Sequence, residues 1–369
     1  MDLFKRITDL LTPPPHKQEK FSTAFDENTQ DETPTVSTAN LGRTVKALVT
    51  APALEHPQAT EAIAELKQIA ASSGLYVVAS KMRYQLDAMP RIASDGSLNW
   101  KDRAYVLAAD FIYQHISRDI RGMEIEGKAI GPNIFRSYCN ELIACLLYGK
   151  NARRAIEMPV LILEDLLHLA VASAARRDFY LELADVAINA TVTQTVAKLE
   201  SDLRERNRRR QEEKRGDIPS TPPTDTAAQL DSDSVLYAKQ LQERIDQIRR
   251  ELTTIRPVPV PRADAAPEAA RTFAEYLQTL IAVADRASYA VFSTFLQIHL
   301  AGLLGAANPA DAAQRLRHSA DTLINIASEE RTLHLTKLSA RRLTRAAELY
   351  AHLGDQAAAQ ECRARAAGR

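Results

Sequence analysis

Acids and histidines at helical spacing are the residues of this chain that could do chemistry. Asp165 and His168 form a D-x-x-H pair, which puts two ligands on one helical face, and Glu164 stands four residues before His168. A carboxylate-bridged dimetal centre in a helical bundle needs two such pairs, plus acids from two other helices. The remaining groupings are Glu330 with His334, four apart, and Asp110, His115 and Asp119, the first two five apart. Neither repeats the D-x-x-H spacing. These histidines therefore read as core residues satisfied by nearby acids, and no metal or cofactor is expected.

Nucleophilic chemistry finds as little. The chain has no G-x-S-x-G elbow, no Walker loop and no dinucleotide fingerprint. Its three cysteines are Cys139, Cys145 and Cys362. Cys139 and Cys145 lie six apart on opposed faces of one predicted helix, so a regular helix cannot bridge them. They read as small buried hydrophobes in a reducing, cytoplasmic setting. The expectation is a protein that is not an enzyme.

The elements that must position these residues read as helices throughout. Only 12 of 369 residues are glycine, and Ala, Leu, Arg and Glu abound. Acidic and basic residues number 47 each, so no overall field steers nucleic acid or membrane, and any such binding is local. The fold class predicted is all-α: two helical bodies joined through a charged antiparallel helical hairpin, with a disordered N-terminal tether.

Residues 1–11 carry Leu3, Phe4, Ile7, Leu10 and Leu11 on one amphipathic helical face, stopped by Pro13, Pro14 and Pro15. Residues 12–40 have no usable period and read as a tether. The first body spans 41–190, with helices predicted over 57–72, 76–88, 99–121, 133–148 and 159–176 and a glycine-containing loop at 122–132. A charged hairpin follows at 191–256, with a loop at 216–232. Its second helix holds Ala238, Leu241, Ile245, Ile248, Leu252 and Ile255 at spacings alternating between three and four, a heptad seam. The seam pairs either with the stripe Ile188, Val192, Val196, Leu199 and Leu203 of the preceding helix, or between two copies through Leu241, Ile245, Ile248 and Leu252. Pro257, Pro259, Pro261 and Pro267 make 257–267 an extended connector. The second body is 268–369. Within it, 287–307 is uncharged but interrupted by polar residues, and reads as a core helix rather than a membrane span.

The end of that body, Ala347–Ala366 (AELYAHLGDQAAAQECRARA), resembles the turn and second helix of a tetratricopeptide unit. Tyr350 precedes Gly354-Asp355 by four residues, and Ala359 and Ala366 are small where helices pack closely. The resemblance implies helical-hairpin packing and a binding surface; it brings no ligand and no site residues.

Two segments are candidate partner-binding sites. The first is the apolar face of residues 1–11, which docks on its own bodies, in a groove on another protein, or on a membrane. The second is the basic run 204–215, RERNRRRQEEKR, seven cations against three acids, with Arg204, Arg206, Arg208, Arg209 and Arg210 as its gripping residues. No aromatic is interleaved to stack on bases. Together these point to an adaptor or scaffold acting through protein–protein contacts. The alternative is a peripheral membrane- or nucleic-acid-associated factor that uses the basic run.

Overall fold

The computed structural model describes residues 38–51, 55–88, 99–126, 131–149, 151–215, 232–262, 265–305 and 307–368. Among them every regular element is a helix, so the chain belongs to the all-α class. The amphipathic segment 1–11, tether residues 12–37 and loop residues 216–231 lie outside the described residues. No described helix is long and apolar enough to cross a membrane.

The described chain divides into two compact units, residues 38–126 with 141–149, and residues 131–140 with 151–368. The division falls near residue 150, whereas the sequence placed the end of the first body at 190. The reason lies in the helix that follows residue 150, whose acids are held by the C-terminal residues 337–342.

The N-terminal unit contains α1 (Thr38–Thr50), α2 (Pro57–Ser73), α3 (Leu75–Ala88), α4 (Asn99–Glu126) and the second half of α5 (Pro132–Tyr148). Pro57 opens α2 at its first turn, where a missing N–H costs nothing, and His56 Nδ1 accepts from the N–H of Gln58 at 3.3 Å. Gly74, at φ 91°, separates α2 from α3. α4 continues through Gly122 to Glu126, although its glycines predicted a loop from 122. Val45, Leu48, Leu66, Val78, Met82, Ile112, Ile116, Leu142 and Leu146 form the core. Arg83 of α3 bridges Asp87 at 2.6 Å and also bonds Glu141 of α5, while the Tyr105 hydroxyl donates to Asp87 at 2.7 Å.

The C-terminal unit holds α6 (Ala152–Ala172), a 3-10 turn (Ala174–Arg176), α7 (Arg177–Ala187), a π turn (Ile188–Val192), α8 (Thr193–Arg215) and α9 (Ser232–Thr254). It goes on with α10 (Pro267–Arg286), α11 (Ala290–Leu304), α12 (Pro309–Thr332), α13 (Thr336–His352) and α14 (Gln356–Ala366). α6 begins seven residues before Pro159, which the sequence reading took for its start. Asn151 caps it, its Oδ1 accepting from the Arg154 N–H at 3.2 Å. Pro159 then sits inside, with Ala155 to Glu164 all buried around it.

α9 runs antiparallel to the α7–α8 segment. Lys239 near its start faces Glu200 of α8 at 3.6 Å, and Arg249 near its end faces Asp185 of α7 at 3.2 Å. The seam is intramolecular: Ala238, Leu241, Ile245, Ile248 and Leu252 are at most 2% exposed within one chain. Leu241, Ile245, Ile248 and Leu252, the residues considered for pairing between copies, lie against their own bundle within the single chain. Nor is the hairpin a free stalk, because α9 also packs on α6. Ile255 lies just past the helix and is half-buried. Residues 256–262, which follow it, form no regular secondary structure, in keeping with their prolines.

From α10 to α14 each helix packs on its chain neighbour. Three of the turns between them share one geometry. In each, a left-handed residue (Ser288, φ 53°; His334, φ 58°; Gly354, φ 82°) follows the helix end. The next N–H then reaches back five residues: Tyr289 to the Ala284 carbonyl at 2.9 Å, Leu335 to Glu330 at 2.8 Å, Asp355 to Tyr350 at 2.9 Å. This is the Schellman stop, which favours glycine at the left-handed position. Only Gly354 announces it in the sequence. The turn at His334 carries no such cue. Side chains strain the left-handed region by about 1 kcal/mol, and Ser288 and His334 are exposed. Ser288→Gly and His334→Gly are each expected to stabilise the chain by about 0.5–1 kcal/mol in urea titrations. A loss of stability at both positions would contradict the shared geometry.

Candidate functional site

The densest group of perturbed ionisable side chains is buried where α6, α9, α12, α13 and the start of α11 meet. Each of its three charges occupies a position that the helical period reserves for an apolar residue. Arg342 falls in the α13 series Leu335, Leu338, Arg342, Leu349; Glu330 ends the α12 series Leu316, Ala320, Leu323, Ala327; Glu164 interrupts Val160, Leu167 and Val171 on α6. Arg342 is 3% exposed, Glu164 1% and Glu330 0%.

Arg342 grips Glu164 with both prongs of its fork: Nη1 donates to Oε2 at 2.6 Å and Nη2 to Oε1 at 2.5 Å. Such bidentate, charge-assisted bonds are the strongest in proteins. Its Nε and Nη2 also donate to Oε1 of Glu330 at 3.3 and 3.2 Å. The Tyr289 hydroxyl donates to Glu164, and the Tyr237 hydroxyl to Glu330 Oε1 at 3.3 Å. Burial by itself would raise the Glu164 pKa, but Arg342 overrides it and holds this carboxyl below its usual range. The arginine is held firmly charged in return, its own burial outweighed by Glu164 and Glu330.

Next door, Arg341 bonds Asp165 and the Leu161 carbonyl. Glu157 accepts the N–H groups of Lys337 at 2.6 Å and Leu338 at 3.3 Å, satisfying the open donors at the start of α13. Burial pushes its pKa up, and those two bonds partly offset the rise. Arginine–carboxylate bonds and a carboxylate cap thus rivet α13 to α6.

These partners dispose of the D-x-x-H pair. Glu164 and Asp165 are taken by Arg342 and Arg341, while His168 turns into an aromatic box. It stacks on Phe295 with ring centroids 3.7 Å apart, and His299 meets the same ring edge-on at 4.6 Å. Burial depresses both imidazoles, His299 to about 3 and His168 well below its usual value, so both are neutral at pH 7. Glu330 faces Arg342, whereas His334 stands exposed in its turn. His115 is half-buried beside the Tyr76 ring at 6.0 Å; the Asp119 side chain lies outside the described residues. Among the described residues no group of three His, Cys, Asp or Glu side chains could hold a metal ion. Cys139 and Cys145 are buried thiols whose pKa burial pushes up, that of Cys139 to about 12, so neither is a thiolate at pH 7.

Leu3, Phe4, Ile7, Leu10 and Leu11 lie outside the described residues, as do the side chains of Arg206, Arg209 and Arg210. The two described arginines of the basic run are exposed and paired along their own helix. Arg204 bonds Glu200 at 3.1 Å; Arg208 bonds Glu205 at 2.8 Å and faces Glu212 at 3.4 Å.

Sequence reasoning missed two surface features. On α3, Val77 and Tyr84 stand seven residues apart at 47% and 66% exposure, with the Lys81 ammonium 5.9 Å from the Tyr84 ring centre. In the C-terminal unit, Ala310, Ala313, Gln314, Arg317, His318, Asp321 and Leu353 line an open groove of about 450 Å³. An apolar pair seven apart beside the core-facing Val78, Met82 and Leu86 was a signal the sequence did contain. Compared with known proteins, the chain matches no family model, no curated protein and no solved structure.

Proposed function

We propose that the protein is a non-enzymatic adaptor or scaffold that works through its helical surfaces and the amphipathic segment at its N-terminus. The observation that carries this reading is the second face of α3. One face of that helix is core, yet Val77 and Tyr84 form a further apolar stripe in water, with Lys81 between them. Large apolar side chains aligned in solvent are the usual substance of a contact surface, and tyrosine is enriched at such interfaces. The buried acids, histidines and thiols support the same reading, because their partners are side chains and backbone that hold helices together. The groove along α12 offers a second, more polar surface. The ion pairs of Arg204 and Arg208 reduce the free charge available to phosphate, so the membrane or nucleic-acid alternative gains no support.

Affinity purification of the intact chain, a variant lacking residues 1–15, and Val77→Glu/Tyr84→Glu tests this. Partners lost from either variant, and shown to bind the intact purified chain directly, support the adaptor reading. Thermal midpoints should stay within about 2 °C of the parent, as expected for exposed sites away from the core. Identical recoveries from all three proteins would remove it. A large fall in midpoint on deleting 1–15 would assign that segment to the fold instead.

A further inference from the structure

We propose that Glu330 carries a proton in the folded protein at mildly acidic pH, and that its ionisation is a latch that loosens the start of α9 from α12. This inference stands apart from the adaptor reading. Two carboxylates share one guanidinium in a site 0–3% exposed, so full ionisation leaves one negative charge sealed in and uncompensated. The oxygens say which acid holds the proton. Both oxygens of Glu164 are bonded by Arg342, and Tyr289 adds a donor. Among the described residues Glu330 has Arg342 and Tyr237 on Oε1 alone, and its buried Oε2 has no hydrogen-bond partner. That oxygen is where the proton belongs.

The groups facing Glu330 are Arg342 from α13, Tyr237 from α9 and, across the shared guanidinium, Glu164 from α6. Arg341 and Tyr289 contact Glu164, and Glu329 of α12 acts on Tyr237. Burial pushes the Glu330 pKa up to about 7; Arg342 opposes the rise and Glu164 adds to it. The acid therefore titrates near neutral pH. Two bonds tie its neighbourhood to the first turns of α9: Tyr237 to Glu330, and the Ser234 hydroxyl to the Leu333 carbonyl at 3.2 Å. A carboxylate formed here draws in water, and the element it loosens is the start of α9.

The folded pKa lies above the unfolded value, so the native state binds the extra proton. This stabilisation is complete below about 4.5 and is lost as pH rises to about 7, at up to tenfold in the folding equilibrium per pH unit. His168 and His299 act in the opposite direction. Their folded values are depressed, so their contribution is lost as pH falls below about 6.5. The difference between the parent and Glu330→Gln isolates Glu330, because both proteins share the histidines.

The test uses the full chain. Urea titrations of the parent, E330Q and E164Q from pH 5 to 8 should show the parent losing roughly 100-fold in folding equilibrium relative to E330Q as pH rises. Hydrogen exchange in residues 232–241, corrected for intrinsic rate, should quicken from pH 6 to 8 in the parent and not in E330Q. Infrared difference spectra of the parent, which need no variant to fold, should show a protonated carboxyl that disappears near pH 7. Parallel pH profiles for the parent and E330Q, or no protonated carboxyl, would overturn the protonation; E164Q, which leaves Arg342 to Glu330 alone, should weaken the pH dependence. Unchanged exchange in 232–241 across that titration would overturn the latch.

Discussion

Arg342→Met is expected to destabilise the chain by about 3–5 kcal/mol, the cost of leaving a buried carboxylate without its partner. The methionine fills much of the arginine's volume, so the loss is electrostatic rather than a cavity. Glu164 is the acid that suffers. It is 1% exposed, takes both prongs of the guanidinium and stays ionised only because Arg342 holds its pKa down. Arg342→Met/Glu164→Leu removes the orphaned charge and should recover most of the loss, so the double-mutant cycle gives a coupling of several kcal/mol. Arg342→Lys keeps the charge but supplies one point donor where a planar fork is required. It should fall between parent and methionine variant. Urea denaturation followed by far-ultraviolet dichroism measures all three. An Arg342→Met variant within about 1 kcal/mol of the parent would mean that the cluster is hydrated and not a structural rivet.

How far these features were legible depends on the kind of signal each one needs. Helix identity was plain, because 3.6-residue periodicity, Pro57 at a helix start and Gly74 at a helix end are local facts. The seam from Ala238 to Leu252 was legible too, though its third wall was not. Ala238 borders a small apolar space with Ala155, Ile156, Val160, Thr195 and Val196, and nothing in the heptad spacing names α6. Boundaries failed where the physical cue was absent or misleading. Pro159 looked like a beginning and lies inside α6, while His334 ends a turn with none of glycine's freedom. The candidate site was half legible. Glu164, Asp165 and His168 stood out by spacing, but spacing cannot say whether an acid faces a metal or an arginine 178 residues further on. A clearer clue was available in Arg342, Glu330 and Glu164 themselves, each a charge at a position the helical period reserves for the core. Charges placed that way must find one another, since burial without a partner costs too much.

Truncation of the seam separates an intramolecular bundle from an association surface. Ile245→Ala and Ile248→Ala are each expected to cost about 2–5 kcal/mol, because both side chains are 0% exposed within the single chain and their loss leaves a cavity. The loss should be independent of protein concentration, and light scattering should give the same mass for parent and variants. A seam that joined two copies predicts the reverse: destabilisation that deepens on dilution, with a lower mass. The two outcomes differ because of where α9 finds its partners. Lys239 reaches Glu200, Arg249 reaches Asp185, and the Arg177 guanidinium donates to the Ile255 carbonyl at 2.5 Å just beyond the helix. These polar ties fix the register of α9 against α7 and α8, with the isoleucines facing inward. Surface pairs of this kind add little energy. Their effect is to set alignment, so Arg249→Ala should cost less than about 1 kcal/mol where Ile248→Ala costs several. Stability here resides in the apolar seam.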